Sequence, residues 1–342
     1  MSRVCAPWWR LAGRSLRAGL AALALSPLAL SPLAGAFAAP PAAAPVTCPP
    51  EARMPGPDEI RAMQRKAQDR GLLWRIEHRG RTSWLYGTMH AAKLDWSVPG
   101  PTVADALRAS DSLALELNIL DPEVMKVLFA GMQARPDAPP LRGDLQRRLE
   151  EQRRLACAGP ELAVLRPDAQ VITLLSLAGR SEGLDAAYGI DFSLAGMARA
   201  LDKPVLSLET PELQLRELVS DDPARVAETV ESGLRQLESG IASQKLGLIA
   251  RVWADGRIHL LESLPDWCDC MANAAERADY DRMVYGRNPG LAREVARQIR
   301  SGRSVFAAVG ALHMVGTRGL PALLAAQGFK VQRVEFPAAS PP

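Results

Sequence analysis

A strand–Gly-x-x-His unit that occurs twice constrains this chain more than any other feature. Residues 84–90 and 308–313 each run from an apolar strand through Gly-x-x to a histidine, and each is followed by a helix and a further strand. Strand–helix–strand units favour parallel pairing of their strands. We therefore predict an α/β (α+β) fold whose mixed sheet is built from two related halves.

A hairpin and a second apolar strand flank the first of these units. Residues 73–78 and 82–86 are strand-like runs separated by a short turn that contains Gly80, a pattern typical of a β-hairpin. Residues 112–118 form a largely apolar strand in which Glu116 is the only ionisable group. A lone acid in a buried strand is uncommon, which makes Glu116 a candidate functional residue.

Helical patterns occupy most of the remaining chain. Residues 122–180 carry Leu, Arg and Glu at helical spacing with breaks at two prolyl segments, and residues 211–264 form a long helical section. We predict that these helices form an insertion in a single domain over residues 58–342. Further helices are predicted over residues 58–69, 102–109, 192–201, 289–300 and 320–327, and further strands over residues 203–210, 305–309 and 330–335.

The first 38 residues have the composition of a secretory signal. Four arginines and no acidic residue occur there, and an Ala- and Leu-rich stretch over residues 18–39 contains a terminal Ala-Phe-Ala. We predict cleavage near Ala38, a Pro-rich tether over residues 39–57, and export to the periplasm or the medium. The alternative is that the stretch stays as an N-terminal membrane anchor, against which Pro27 and Pro32 argue. After cleavage we expect no stable membrane insertion.

Removal of the signal changes the charge balance of the chain. The whole chain has 41 basic and 38 acidic residues, so loss of the four signal arginines leaves 37 against 38 and a formal charge of −1. No run of Lys and Arg with interleaved aromatic residues follows, and we therefore expect no nucleic-acid partner. With 48% apolar and 23% charged residues, the composition also excludes general disorder.

The cysteine count favours disulfide bonds. Four cysteines remain once Cys5 leaves with the signal, and an even number in an exported chain is typical of disulfides. A bridge between Cys268 and Cys270 would be strained, so we expect at least one long-range bond that involves Cys48 or Cys157. A redox-active or metal-binding C-x-C pair is the alternative, but no second cysteine pair or nearby histidine has zinc-finger spacing.

Two of the four histidines occupy the same position in the repeated unit. In open α/β sheets, functional sites form beyond the carboxyl ends of strands, where glycine lets the backbone turn tightly. If the two strands are neighbours, His90 and His313 converge, and Glu116 reaches the same edge of the sheet. Two imidazoles and a carboxylate are a common ligand set for a divalent transition metal.

Each of these residues also has a purely structural interpretation. A histidine after a strand is commonly a hydrogen-bonded structural residue, and Glu116 could simply pair with an arginine. We assign His78 and His259 to structural roles. The sequence contains no nucleophile elbow, Walker loop, dinucleotide fingerprint or H-E-x-x-H pattern, so those classes of enzyme have no support.

Longer motifs around these positions resemble the TraB/GumN family, relatives of the Tiki metalloproteases. The segments Tyr-Gly-Thr-Met-His90 and Val-Gly-Ala-Leu-His313-Met-Val-Gly carry the resemblance, which extends over roughly residues 71–336. The further motifs are Ala-Leu-Glu116-Leu, Tyr188-Gly-Ile-Asp191, Leu-Glu209-Thr210, Trp253-Ala-Asp-Gly256 and Arg287-Asn288. The resemblance implies a divalent-metal-dependent hydrolase, with Mn²⁺ or Co²⁺ as the associated ions and Zn²⁺ as the alternative.

The same resemblance implies roles for individual residues. His90, His313 and Glu116 match the metal site of the family, with Glu116 as the third ligand or as the general base. Arg287 and Asn288 match a catalytic polar pair, in which Arg287 is expected to steady the developing oxyanion. The residues implied to support the site or to bind substrate are Tyr188, Asp191 and Glu209.

We hypothesise that the chain is an exported, metal-dependent, peptidase-like hydrolase that acts on a peptide or protein substrate. The alternative is a non-catalytic periplasmic protein that holds haem or a metal ion between the two histidines. A third interpretation is an accessory protein of an export pathway whose histidines are structural. The sequence does not determine the oligomeric state.

Overall fold

Six strands form one mixed sheet in the computed structural model of the chain. They are β1 (Leu72–His78), β2 (Arg81–Thr88), β3 (Ser112–Leu115), β4 (Val205–Ser207), β5 (Val305–Gly310) and β6 (Lys330–Val334), in the order β4-β3-β5-β2-β1-β6. Pairing is parallel between β4 and β3, β3 and β5, and β5 and β2, whereas β1 is antiparallel to both β2 and β6. The predicted mixed α/β class is confirmed, and the two strands that precede Gly-x-x-His are direct neighbours.

The structure describes residues 46–271 and 273–336. The predicted signal peptide over residues 1–38 lies outside this part of the chain, as does the beginning of the predicted tether. Residues 46–56 have no regular secondary structure. In the part of the chain that the structure describes, no helix combines the length and apolar composition needed to cross a lipid bilayer.

Helices surround the sheet and fill the long segment between β3 and β5. Their bounds are α1 Pro57–Lys66, α2 Pro101–Arg108, α3 Pro122–Met132, α4 Gly143–Leu155, α5 Pro160–Ala163, α6 Pro167–Leu177, α7 Ile190–Ala200, α8 Pro211–Leu218, α9 Pro223–Glu238, α10 Ile241–Ala254, α11 Ile258–Glu262, α12 Leu264–Trp267, α13 Ala274–Tyr280, α14 Asn288–Arg300 and α15 Leu320–Ala326. Many begin with proline, and the Asp121, Thr210 and Asp222 side chains cap α3, α8 and α9.

Two strands are shorter than the sequence predicts. The strands expected over residues 112–118 and 203–210 are confined to β3 and β4, so Glu116 and Glu209 lie just beyond their ends. The backbone still continues the pairing there, since the Glu209 amide donates to the Glu116 carbonyl at 3.0 Å. Both carboxylates therefore stand at the edge of the sheet.

Two large apolar cores, and a small one formed by Leu264, Cys268 and Met271, stabilise the described part of the fold. In the main core, all residues of β3 and all but the last of β5 are buried, which requires cover on both faces of the central strands. Trp253 of α10 is fully buried in this core, and its indole N–H donates to the Gly87 carbonyl at 2.7 Å. A second core lies among α4, α5, α6 and α9 and contains Leu145, Leu149, Leu162, Val171, Leu174, Val230 and Leu234. The predicted helical insertion thus has a core of its own.

Two disulfide bonds join the four cysteines of the described residues. Cys48 pairs with Cys157, 109 positions along the chain, at a Cα–Cα distance of 5.6 Å, in agreement with the expected long-range bond. Cys268 pairs with Cys270 at a Cα–Cα distance of 5.1 Å, although the sequence argued against a bond between such close neighbours. Asp269 between them adopts the left-handed conformation with φ of 48°, which turns the two cysteine side chains towards each other.

The two disulfides are expected to differ in their contribution to stability. Because the cost of closing a loop grows with its length, the Cys48→Ala/Cys157→Ala variant should lose about 3 kcal/mol in the free energy of unfolding. The Cys268→Ala/Cys270→Ala variant, which opens a far shorter loop, should lose only about 1 kcal/mol. Urea unfolding of both variants beside the parent protein measures the difference, and equal losses would contradict the argument.

Candidate active site

The carboxyl ends of four parallel strands lie side by side, and each precedes a residue that the sequence singles out. His90 follows β2, Glu116 follows β3 and Glu209 follows β4. His313 lies in a turn of 3₁₀-helix (Ala311–Met314) directly after β5. Because parallel strands end at the same edge of a sheet, these side chains converge, and His90 Nε2 lies 3.8 Å from Glu116 Oε1.

Both glycines of the repeated unit stand at points of close approach. A Cβ atom on Gly87 would lie 3.2 Å from the Ala311 Cα of the other unit. A Cβ atom on Gly310 would lie 3.4 Å from both His90 Nε2 and Glu116 Oε1, and 3.6 Å from His313 Cδ2. The φ of Gly310 is −47°, which any residue can adopt. Close packing therefore favours glycine at position 87, whereas a methyl group at position 310 would stand at ordinary contact distance from three candidate site residues.

His90 is held by a carboxylate that is itself fixed. Its Nδ1 lies 2.8 Å from Asp191 Oδ2, and the other Asp191 oxygen accepts a hydrogen bond from Thr88 Oγ1 at 2.8 Å. Asp191 stands in the first turn of α7, where a carboxylate is favoured by the helix dipole. The negative charge of Asp191 raises the pKa of His90 to about 9. Nδ1 is thus occupied, and Nε2 faces Glu116.

His313 is held by a neutral amide in a buried position. Its Nδ1 lies 2.6 Å from Asn288 Oδ1, and the fully buried Asn288 donates from its Nδ2 to the Arg318 carbonyl at 2.7 Å. Since that contact fixes Nδ2 as the donor, Oδ1 accepts, and this network assigns the proton of neutral His313 to Nδ1. Burial lowers the pKa of His313 to about 4. At neutral pH its Nε2 therefore carries a free lone pair.

The two site histidines are expected to have opposite protonation states in the metal-free protein at pH 7. His90, with its raised pKa, should stay charged until the pH rises to about 9, while His313 should stay neutral until the pH falls to about 4. Heteronuclear NMR of the imidazole ring nitrogens, assigned with the His90→Ala and His313→Ala variants, measures both states. Two rings that titrate together near the ordinary histidine value would contradict the geometry.

A single guanidinium joins the two carboxylates of the site. Arg287 Nε donates to Glu209 Oε1 at 3.0 Å, and its Nη2 contacts both Glu116 and Glu209. Gln214 Nε2 donates to both carboxylates, at 3.3 and 3.2 Å, and the Gly310 amide donates to Glu116 Oε1 at 2.9 Å. The side chains of Arg287, Glu116 and Glu209 are only 12%, 9% and 2% exposed. The cluster is therefore a buried, fully bonded network.

The pKa of Glu116 reflects a competition between burial and charge. Burial alone would raise it, but the positive charge of His90, followed by that of His313 and Arg287, lowers it to about 2. At a pH of about 2, His313 is itself protonated, and its positive charge therefore helps to lower the pKa of Glu116. Glu116 is consequently a carboxylate at neutral pH and can act as a ligand or accept a proton.

Two predicted site residues have contacts that the sequence does not indicate. Asn288 is buried behind His313, which suits a residue that orients the imidazole. The Tyr188 hydroxyl binds the Arg53 backbone, accepting from its amide at 2.7 Å and donating to its carbonyl at 3.1 Å. In the Tyr188-Gly-Ile-Asp191 motif, Gly189 rather than Tyr188 lies close to the cluster. A Cβ atom on Gly189 would lie 2.6 Å from the His90 carbonyl oxygen.

Two residues of the site were missed by sequence reasoning. Gln214, which bridges the carboxylates, lies on α8 only five positions after Glu209, and this proximity was the available signal. Thr88 is the last residue of β2 and fixes Asp191. His78, by contrast, packs its ring against Phe329 at 4.9 Å between centroids, as a structural histidine would.

The donor chemistry of the cluster fits a divalent ion. Each imidazole has an oxygen partner at Nδ1, which leaves Nε2 as the nitrogen for a metal ion and is the usual arrangement around a metal-binding histidine. A carboxylate oxygen of Glu116 lies beside His90 Nε2. Among the described residues, however, no group of three or more His, Cys, Asp or Glu side chains has a spacing that could hold a metal ion.

The fold and the site together define a mixed α/β protein with a histidine–carboxylate cluster at the carboxyl edge of its sheet. Glu116, Glu209 and His313 are buried in this cluster, whereas the side chain of His90 is 69% exposed. The chain matches the TraB/PrgY/gumN family over residues 72–333 and belongs to that family. It is similar to the uncharacterized protein YbaP of Shigella flexneri, at 26% identity over 247 residues, which cover 71% of this chain and 88% of the relative. The YbaP protein of Escherichia coli (strain K12) is 26% identical over 243 residues, with 70% and 86% covered. No solved structure matches the chain.

Proposed function

We propose that the chain is a divalent-metal-dependent hydrolase of the peptidase type. The observation that carries this proposal is the convergence of two imidazoles from neighbouring strands, each with Nδ1 occupied, beside an ionised carboxylate. His90 and His313 would hold the ion through Nε2, and Glu116 would be the third ligand or the proton acceptor. A bound Mn²⁺, Co²⁺ or Zn²⁺ would activate water and polarise the carbonyl of a peptide bond.

The remaining residues of the cluster have positioning roles in this proposal. Asp191 and Asn288 orient the two imidazoles, and Arg287 with Glu209 holds Glu116. The Arg287 donors point at the two carboxylates, so its geometry favours fixing Glu116 over the oxyanion contact that the sequence suggests. Such supporting contacts keep catalytic groups in the productive orientation before substrate arrives.

We further propose that the protein acts after export. The two disulfides are compatible with an oxidising compartment such as the periplasm or the medium. Together with the signal-like composition of residues 1–38, they support export of the chain.

Metal dependence can be tested with a variant that fills the proposed ion site while it keeps every ligand. The protein, stripped with a chelator, should cleave unstructured peptides only after addition of Mn²⁺, Co²⁺ or Zn²⁺. In Gly310→Ala, the new methyl lies 3.4 Å from both His90 Nε2 and Glu116 Oε1, a distance compatible with folding. It should weaken metal binding by about tenfold or more and reduce turnover in parallel.

The control for Gly310→Ala is Gly196→Ala on α7, where no atom lies within 4 Å of the new Cβ. This variant should bind metal as the parent protein does, and calorimetric titration measures the affinity of all three. Tight metal binding without cleavage of any peptide would favour the non-catalytic binding protein instead. Unchanged metal binding by Gly310→Ala would refute the assignment of the site.

A further inference from the structure

An apolar pocket opens directly beside the proposed site. It has a volume of about 330 Å³, and the site residues His90, Glu116, Asp191 and Arg287 line it. Apolar side chains make up most of the remaining lining, namely Leu117, Ile119, Leu128, Phe192, Leu218 and Met283. The cluster and these apolar side chains therefore share one cavity.

The apolar walls are chain neighbours of the site residues. Leu117 follows Glu116, and Phe192 follows Asp191, the residue that holds His90. A group bound against Leu117 and Phe192 therefore lies in the same pocket as a group bound at the cluster. This adjacency suits a peptide whose backbone lies at the cluster while a neighbouring side chain enters the pocket.

The mouth of the pocket exposes apolar surface. Phe192, which lines the pocket beside the buried Arg287–Glu116 pair, is 47% exposed. Covering such side chains with an apolar group removes their surface from water, which favours binding. The volume lies at the small end of the range for ligand pockets, so it suits one large side chain rather than a whole ligand.

The charged groups around the pocket disfavour an acidic occupant. Glu217 pairs with Arg282, and Arg287 is bonded to Glu116 and Glu209. Gln214, which also lines the pocket, donates to the same two carboxylates as Arg287. An aspartate or glutamate side chain among the apolar side chains would lose its hydration, and the donors of Arg287 and Gln214 are already occupied.

We propose that this pocket binds a large apolar side chain, such as leucine, methionine or phenylalanine, next to the peptide bond at the cluster. The pocket thereby sets the substrate class as peptides with an apolar residue beside the bond that is cleaved. Phe192 is its specificity-determining residue. The position of this side chain next to the cleaved bond rests on the proposed function, whereas the preference of the pocket for an apolar side chain does not.

Binding can be measured without any activity. Met283 lines the pocket, and its ¹³C-labelled methyl group, assigned with Met283→Leu, reports occupancy by NMR. The probes are N-acetyl-leucinamide, N-acetyl-glycinamide and N-acetyl-aspartamide with its free side-chain carboxylate. The leucine probe should shift the Met283 signal and bind at least about tenfold more tightly than the other two, because only it buries an apolar side chain.

Two phenylalanine variants give a matched comparison. Phe192→Ala should weaken binding of the leucine probe about fivefold and leave the glycine probe unchanged. Phe129→Ala, on α3, removes an aromatic ring that is similarly exposed at 53% but does not line the pocket, and it should have no effect.

The outcomes separate this inference from the proposed function. Selective, Phe192-dependent binding of the leucine probe supports the pocket even if no peptide is cleaved with any metal, a result that would count only against the hydrolase. Equal binding of the three probes, or an unperturbed Met283 methyl group, overturns the pocket even if the protein cleaves peptides.

Discussion

Replacing Arg287 by methionine is expected to lower the free energy of unfolding by about 3–5 kcal/mol, because it leaves buried carboxylates without their cation. Arg287 bonds to both Glu116 and Glu209, and all three side chains are nearly inaccessible to water. Methionine keeps most of the volume, so the loss reports the missing charge rather than a cavity. Urea unfolding of the metal-free protein, in the presence of a chelator, gives the value.

A more exposed arginine that also bonds to two glutamates provides the control. Arg148 bonds to Glu231 and Glu238, but its side chain is 30% exposed and theirs are 31% and 36% exposed. Arg148→Met should therefore lose less than about 1 kcal/mol, as surface ion pairs do. Equal losses from the two variants would show that burial of the Arg287 cluster contributes nothing.

The loss in Arg287→Met should also depend on pH. In the parent protein, the pKa of Glu116 is lowered from 4.5 to about 2, so its ionisation stabilises the fold above pH 4.5 and this contribution disappears as the pH falls towards 2. Without the guanidinium, one of the positive charges that lower this pKa is lost, so the pKa of Glu116 should be higher in the variant than in the parent. The difference in stability between variant and parent should be largest at pH 7 and shrink as the pH falls towards 2. A constant difference would point to altered packing instead.

Replacing His313 by alanine is expected to reduce metal-dependent turnover by about three orders of magnitude or more, because it removes a proposed ligand. The protein should stay folded, at a cost in stability of about 2–4 kcal/mol, since the Asn288 oxygen loses its partner and the buried ring leaves a cavity. Metal content and peptide cleavage are measured on protein whose circular dichroism matches that of the parent. Full activity in His313→Ala would refute the hydrolase proposal.

Two further variants test whether the loss in His313→Ala is specific to the proposed metal site. Asn288→Ala leaves the imidazole in place but releases its Nδ1, so metal affinity should fall about 10- to 100-fold without complete loss of turnover. His259→Ala, on α11, removes a histidine that the proposal does not use and should leave metal affinity unchanged. A loss of affinity in His259→Ala comparable to that in His313→Ala would mean that the histidine effect is not specific to this site.

The sequence predicts the sheet and the meeting of the two histidines because both follow from short-range patterns. Each Gly-x-x-His unit follows an apolar strand, and parallel strands end at one edge of a sheet. His90 and His313 therefore meet if their two strands are neighbours in the sheet, as they are here. Glu116 could be identified in the same way, because it is the only acid of an apolar strand. The positions of all three residues follow from where their strands end.

The partners of these residues could not be predicted from the same patterns. Arg287 and Glu116 are 171 positions apart, and their contact depends on how α14 packs beyond the ends of β3 and β4. The Tyr188 hydroxyl is hydrogen-bonded to the backbone of Arg53, which lies in a segment without regular structure. The Cys268–Cys270 bond depends on the backbone angle of a single residue, Asp269. Such contacts are set by tertiary packing, which a local pattern does not encode.

The place of β5 in the sheet has a consequence for biosynthesis. This strand is made after residue 304, yet it separates β2 from β3 and pairs with both. Until it emerges from the ribosome, two apolar strands have open edges, the kind of surface that promotes aggregation. The edges of β2 and β3 therefore stay unpaired until β5 is available, and the central sheet can close only at that stage of synthesis.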